Sequence, residues 1–164
     1  MKKEFLMLLL FGLFYPGWLS AQEIRVQGNM LILGYIEDPF MGAGVGIEAG
    51  LGEHFTLNFD VNWGSQETGD TWEFRPAVNY YIGKEKRGLF VGPALKYISL
   101  AEKDEDQGRW DDSLYAFGFN LGFKALLSET ITMAFVASPH KTVGGETEAD
   151  VAGISAQLAL GYRF

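Results

Sequence analysis

The sequence predicts an all-β protein, an eight-stranded antiparallel up-and-down β-barrel that spans a membrane and follows a cleavable signal peptide. Three observations predict it. Apolar and polar residues alternate over most of the chain after residue 22, as in strands with two unlike faces. One face carries bulky side chains, and the other carries small or polar ones. Several of the predicted strands reach the ~9–11 residues that a tilted strand needs to cross a bilayer.

Composition narrows the classes of protein further. The chain has 164 residues, 48% of them hydrophobic, with no cysteine and a formal charge of −8. This length allows one domain. Without cysteine there is no disulfide, thiolate metal site or cysteine nucleophile. The acidic balance argues against a nucleic-acid partner, because neutralising phosphates needs a basic face.

The first 21 residues have the layout of a secretory signal peptide. Lys2 and Lys3 precede an apolar run over 5–19, and Ala21 ends the segment. This run is shorter than the ~20 residues of a spanning helix, so we predict a cleaved signal peptide over 1–21 and a barrel over 22–164. A retained anchor and a buried core helix are the alternatives.

Strand by strand, the alternation is clearest in the second, third, fourth, sixth and eighth elements. It covers 45–51, 55–63, 72–75, 115–124 and 154–164, and is strictest at 55–63, where every odd position is a large apolar residue. The alternating segments and the turns between them predict eight strands, at 24–36, 43–52, 55–64, 71–82, 89–100, 113–125, 130–138 and 151–164.

The connections alternate between two kinds. Short turns near 52–54, 83–88 and 127–129 are predicted to share one rim with the chain ends. The segments 37–42, 65–70, 101–112 and 139–150 then form the other rim, and the last two are long. This asymmetry is typical of outer-membrane barrels, and an exported N-terminus places the short turns in the periplasm.

Volume decides which face points inward. An eight-stranded barrel has an interior just wide enough for side chains to fill, so a face rich in Phe, Leu, Ile, Val, Trp and Tyr does not fit there. A solvated exterior would carry Lys and Glu, whereas the opposite face is small or uncharged. We therefore predict that the bulky face meets lipid and that the following residues face the lumen: Gly44, Gly46, Gly50, Asn58, Asn62, Ala77, Asn79, Gly92, Ala94, Ala116, Gly118, Asn120, Gly122, Gly153 and Gly161.

Charged residues share the predicted lumen face and are expected to form a hydrogen-bonded ion network, since a solitary buried charge would be too costly. A polar plug that fixes the strand register is favoured over a proton or ion path, because no continuous pore fits. The predicted network is Arg25, Glu48, Asp60, Glu73, Arg75, Lys96, Lys124 and Arg163.

Aromatic residues are predicted to form two girdles at the membrane interfaces, with ordinary strand enrichment as the alternative. The periplasmic girdle comprises Phe55, Tyr80, Tyr81, Phe90, Phe123, Tyr162 and Phe164, and the outer girdle Tyr35, Trp63, Trp72, Tyr97 and Tyr115.

The C-terminal segment 158–164 resembles the terminal strand of bacterial outer-membrane proteins, with outward apolar residues up to a final phenylalanine. The resemblance implies that Leu158, Leu160, Tyr162 and Phe164 are recognised by the barrel-assembly machinery. The segment 83–97 resembles small uncharacterised porin-family barrels of Bacteroidetes-type bacteria. The pattern of nearly the whole mature chain resembles the OmpA and OmpX class of eight-stranded barrels, although few positions are identical. This resemblance implies that the protein lies in the outer membrane of a Gram-negative bacterium.

The acidic segment 101–112 holds six acids against Lys103 and Arg109. Clustered carboxylates can bind divalent cations, but the calcium-loop spacing fails, and a solvated loop is the favoured interpretation. Divalent ions that link this loop to lipopolysaccharide phosphates stay an alternative. No metal site and no cofactor are predicted.

A weaker signal for catalysis lies near the end of the seventh strand. Ser138 and His140 precede Glu146, and a serine, a histidine and an acid can perform acyl transfer if they converge. Pro76 and Pro93 lie inside neighbouring strands and cannot donate to the ladder. They indicate either a β-bulge or an opening in the wall.

Three functions are weighed. The favoured one is a non-enzymatic structural or surface-interaction barrel, whose acidic loops contact outer-membrane lipid, lipopolysaccharide or an unidentified extracellular partner. The second is a lipid A-modifying hydrolase or transferase that uses Ser138 and His140. The third is a secreted soluble barrel that binds an apolar ligand.

Overall fold

The described chain forms a closed barrel. The computed structural model describes residues 20–34, 38–67, 69–83, 85–104, 108–145 and 151–164, and for 20–22, 102–104 and 108–111 it describes the backbone alone. Eight strands pair antiparallel in chain order, and β1 pairs with β8. They are β1 Ser20–Leu33, β2 Phe40–Leu51, β3 Phe55–Gln66, β4 Gly69–Tyr81, β5 Gly88–Asp104, β6 Gly108–Leu126, β7 Ile131–Gly145 and β8 Ala152–Arg163. The predicted eight-stranded up-and-down barrel is confirmed.

Two rims follow from this order. At the turn rim the chain connects β2 to β3, β4 to β5 and β6 to β7, and both ends of the barrel lie there. At the loop rim it connects β1 to β2, β3 to β4, β5 to β6 and β7 to β8. Among the described residues no helix is long and apolar enough to span a membrane.

The strands extend further toward the loop rim than predicted. β5 continues to Asp104, β6 begins at Gly108 and β7 continues to Gly145. The segment 101–112, predicted to be a loop, therefore belongs to paired strands except for 105–107, which lie outside the described residues. Beyond an apolar belt both faces of a strand can carry polar residues, so the alternation fades although the ladder continues.

The predicted bounds of the first strand were wrong at both ends. β1 begins at Ser20 rather than 24, and Gly34, predicted to be in the strand, lies in a turn. The predicted cleavage after Ala21 falls within β1. Residues 1–19 lie outside the described residues, so the signal peptide stays a prediction.

The two faces point as predicted. Side chains such as Trp72, Phe119 and Leu158 are 50–58% exposed on the outer surface, whereas Asn62 and Arg75 are at most 1% exposed inside. Two predicted members of the periplasmic girdle are exceptions: Tyr81 and Phe90 point inward, and their rings pack at a tilt with centroids 5.0 Å apart. Tyr81 follows the outward Tyr80, so alternation assigns it to the lumen. Tyr35 lies outside the described residues.

A charged layer extends from the turn rim to the middle of the interior. Tyr81, Phe90 and Val136 form a small apolar cluster beside it, and the Tyr81 hydroxyl donates to Glu48. A larger apolar cluster closes the lumen toward the loop rim and comprises Leu31, Leu33, Phe40, Ile98, Leu100, Leu114 and Val151. Polar side chains were predicted to fill the whole lumen, so this apolar cap was missed.

A closed ladder predicts heat-modifiable mobility. The protein extracted in mild detergent should run faster on a gel without boiling than after boiling, because β1 and β8 hold the cylinder together until heat separates them. Identical mobility in the two samples would contradict closure.

Candidate functional site

Arg25 is the centre of the charged layer. Its Nη1 lies 3.1 Å from Glu48 Oε2, and its Nη2 donates to Asp60 Oδ1 at 3.0 Å and to Asn58 Oδ1 at 2.7 Å. All four side chains are almost completely buried. One guanidinium from β1 thereby holds together acceptors from β2 and β3, as its planar set of donors allows.

The network continues from both carboxylates. Asp60 Oδ2 accepts a hydrogen bond from Arg75 Nη2 at 2.7 Å, and Arg75 also donates to Gln157 on β8. Glu48 Oε1 accepts from Lys124 Nζ at 2.8 Å, and Lys124 Nζ lies 2.6 Å from Glu23 Oε2. The charges alternate in sign along this chain.

A second group lies nearer the loop rim around Lys96. Lys96 Nζ is 3.5 Å from Glu73 Oε2 and donates to Ser155 Oγ at 2.7 Å, and Ser155 Oγ donates to the same Glu73 oxygen at 2.8 Å. Gln27 and Asn62 extend this second group: Gln27 Nε2 donates to Asn62 Oδ1 at 2.8 Å, and Asn62 Nδ2 donates to Glu73 Oε1 at 3.1 Å.

The network balances its own charge. It pairs four basic with four acidic side chains: Arg25, Arg75, Lys96 and Lys124 with Glu23, Glu48, Asp60 and Glu73. A charge buried without a partner would cost several kcal/mol, whereas a paired and hydrogen-bonded one is tolerated.

Seven of the eight residues predicted for this network lie in it. The eighth, Arg163, is half-buried at the turn rim beside Lys86. Glu23 was missed, although it has the same parity as Arg25 on β1. Ser155 and Gln157 were missed because the predicted network contained charged residues only, although the alternation along β8 places both side chains in the lumen.

Glycines make room for these long side chains. A Cβ at Gly46 would lie 2.1 Å from Asp60 Oδ1, and one at Gly161 would lie 2.4 Å from Glu23 Oε1. The small residues of the lumen face thus supply the volume that the charged residues fill.

The mouth at the turn rim is nearly closed. A cavity of about 10 Å³, about one water, lies among Glu23, Lys86, Lys124 and Arg163. Partial burial lowers the pKa of Lys86 below its ordinary value, and the charges of Arg163 and Lys124 lower it further. With the apolar cap at the other end, the described lumen holds no continuous aqueous path.

The side chains of Ser138 and His140, the two described residues proposed for catalysis, are not hydrogen-bonded to each other. Ser138 and His140 face the lumen, but His140 Nδ1 lies 3.1 Å from the Ser138 carbonyl oxygen and 3.0 Å from Lys96 Nζ. Ser138 Oγ has no hydrogen-bond partner among the described residues. His140 belongs to the segment 139–150, which was predicted to connect the last two strands, but it lies within β7. Glu146 lies outside the described residues.

Solved structures share this architecture. The Neisserial surface protein A (NspA) is 7% identical and has a TM-score of 0.72, with 88% of this chain and 99% of that chain covered. Ail, the attachment invasion locus protein of Yersinia pestis, is 15% identical with a TM-score of 0.60, and 88% of this chain and 98% of Ail are covered. The N-terminal β-barrel domain of Pseudomonas aeruginosa OprF is 18% identical with a TM-score of 0.55, and the coverage is 88% and 97%.

The fold is therefore that of the small eight-stranded barrels known from bacterial outer membranes. Residues 5–139 match the family described as protein of unknown function DUF3575, and the chain belongs to that family. No curated protein matches it in sequence.

Asp60 tests the energetics of the network, because it bridges two guanidinium groups. Asp60→Leu should lower the free energy of unfolding, measured by urea titration in lipid vesicles, by about 3–5 kcal/mol, since Arg25 and Arg75 lose a buried partner. The control is Glu85→Gln, which breaks a solvent-exposed pair with Arg87 and should change the free energy by less than about 0.5 kcal/mol. Equal effects of both substitutions would contradict a stabilising role for the network.

Proposed function

We propose that the protein is an integral outer-membrane β-barrel with a plugged polar lumen and a non-enzymatic role, exerted through its acidic loop rim. The observation that carries this proposal is the outer surface. Val26, Val45 and Leu95 are 49–61% exposed, and every strand carries large apolar residues that are more than a third exposed. In water this belt would far exceed the few hundred Å² of apolar patch that soluble monomers expose, whereas lipid solvates it.

The interior supports the same proposal. A soluble carrier of an apolar ligand needs a wide apolar cavity inside its barrel. In the described part of this barrel, ion pairs and an apolar cap occupy that space. The strands have 12–19 residues, more than the ~9–11 needed to cross a bilayer, and closure pairs the edges that lipid could not solvate.

The orientation follows from the chain ends. Both ends of the barrel lie at the turn rim, which would face the periplasm after export, and the loop rim would face outward. The segments 37–42, 65–70, 101–112 and 139–150 together carry thirteen acidic and three basic residues. Such a rim suits divalent cations that link carboxylates to lipopolysaccharide phosphates, or a basic extracellular partner.

The C-terminal strand suits recognition during assembly. Leu158, Leu160, Tyr162 and Phe164 are 52–61% exposed on the outer face. We infer that the barrel-assembly machinery recognises this row of side chains before the strand pairs with β1.

A charge placed within the belt tests the membrane assignment. Val45 lies midway along β2 and is 49% exposed, whereas Val143 lies near the loop rim on β7 and is 70% exposed. Val45→Arg should lower the free energy of unfolding in lipid vesicles by about 2–4 kcal/mol, and Val143→Arg by about 0–1 kcal/mol, because the cost depends on depth in the bilayer. If arginine is tolerated equally at both positions, the belt does not contact hydrocarbon.

The enzyme alternative is not favoured, because Ser138 and His140 are buried inside the barrel and do not contact each other through their reactive atoms. His140→Ala should leave the lipid A of the expressing cells unchanged by mass spectrometry. Loss of an acylated or deacylated species in that variant, relative to the wild type, would instead support an enzyme.

A further inference from the structure

The β4–β5 ladder is interrupted in the middle of the wall. The strands pair from Gly69 with Glu102 to Phe74 with Tyr97, then only at Ala77 with Ala94 until pairing resumes at Tyr80 with Val91. The unpaired positions contain or adjoin the two prolines of these strands. The register is the same on both sides of the gap, so the β-bulge considered for Pro76 and Pro93 is absent.

The cause is the missing proline N–H. In this register Pro76 lies opposite Leu95, and Pro93 lies opposite Val78. Neither proline can donate across the seam, so the two strands are held less tightly here than elsewhere in the wall.

An apolar hollow of about 310 Å³ opens on the outer surface at this seam. Its sides are the outward residues Leu57, Pro76, Val78, Pro93, Leu95 and Phe117. Its floor includes Ala77 and Ala94, which face the lumen and are at most 4% exposed. The hollow therefore reaches through the layer of outward side chains to the strand backbones. The small residues of its floor leave these backbones uncovered. We call it the wall slot.

The chemistry of the wall slot restricts its occupant. A buried water needs two to four polar partners. All the residues that line the slot are apolar. A polypeptide segment would bring polar backbone groups, and the apolar side chains of the slot could not form hydrogen bonds with them. An empty slot would lose the dispersion contacts of its walls. Hydrocarbon fills it without either cost.

We propose that the wall slot binds one acyl chain of an outer-membrane lipid, held between β4 and β5. The inference rests on the proposed membrane location, because the slot is continuous with the apolar belt that lipid would cover. The bound chain packs against the proline rings and against Ala77 and Ala94, and so stabilises the part of the wall that has the fewest ladder hydrogen bonds.

Photolabelling tests this site. The full chain is refolded into vesicles of phosphatidylethanolamine and phosphatidylglycerol that contain a phospholipid with a diazirine in the middle of one acyl chain, and the adducts are mapped by mass spectrometry. Adducts should concentrate on 76–78 and 93–95. Val78→Phe narrows the slot from the outer face and should reduce this labelling by about threefold or more, because packing contacts hold the chain there. Val78→Ala should not reduce it.

Val91→Phe is the matched control, since Val91 is an outward valine of β5 with 38% exposure against 37% for Val78 and does not line the slot. It should leave the labelling unchanged. Adducts spread evenly around the belt, or equal labelling in Val78→Phe and wild type, would overturn the slot and leave the membrane assignment intact. No adducts anywhere on a heat-modifiable barrel would overturn both.

Discussion

The narrow interior of an eight-stranded barrel is the constraint on which the rest of this structure depends. Its volume is nearly filled by one side chain for each inward position, so inward residues must be small wherever a neighbour is long. Gly46 leaves room for Asp60, and Gly161 leaves room for Glu23. The same limit excludes large aromatic side chains from most inward positions and places them on the outer surface.

The balance of charges inside the barrel follows from this limit on its volume. Side chains that share a narrow and dry space must neutralise one another, and the alternating chain from Glu23 to Arg75 does so across β1, β2, β3, β4 and β6. Because a shift of one strand by one residue would exchange its faces, each ion pair also opposes slippage of register. The network thus explains the closed lumen and the single register together.

The alternation of apolar and polar residues predicted most of the fold, because a period of two residues depends only on which face of its strand each residue occupies. It placed Arg25, Asp60 and Glu48 in one lumen. It did not show which side chains meet, since contacts across the lumen depend on strand register and stagger. Hence the pairing of Lys124 with Glu23 was missed.

The remaining errors have two causes. The ends of β5, β6 and β7 were missed because alternation weakens outside the belt, and the apolar cap was missed because Leu31 and Ile98 were assigned to no face. The gap at Pro76 and Pro93 was visible in sequence, but only the unchanged register distinguishes an opening from a bulge.

Spin labelling along β2 tests most directly whether the bulky face contacts hydrocarbon. The chain has no cysteine, so single cysteines at Met41, Val45, Ile47 and Leu51, all outward, can each carry a nitroxide in a vesicle-reconstituted barrel. If the bulky face contacts hydrocarbon, collisions with oxygen should exceed those with a polar nickel chelate at Val45 and Ile47, and this excess should fall toward both ends of the strand. High and uniform accessibility to the nickel chelate at all four positions would contradict it.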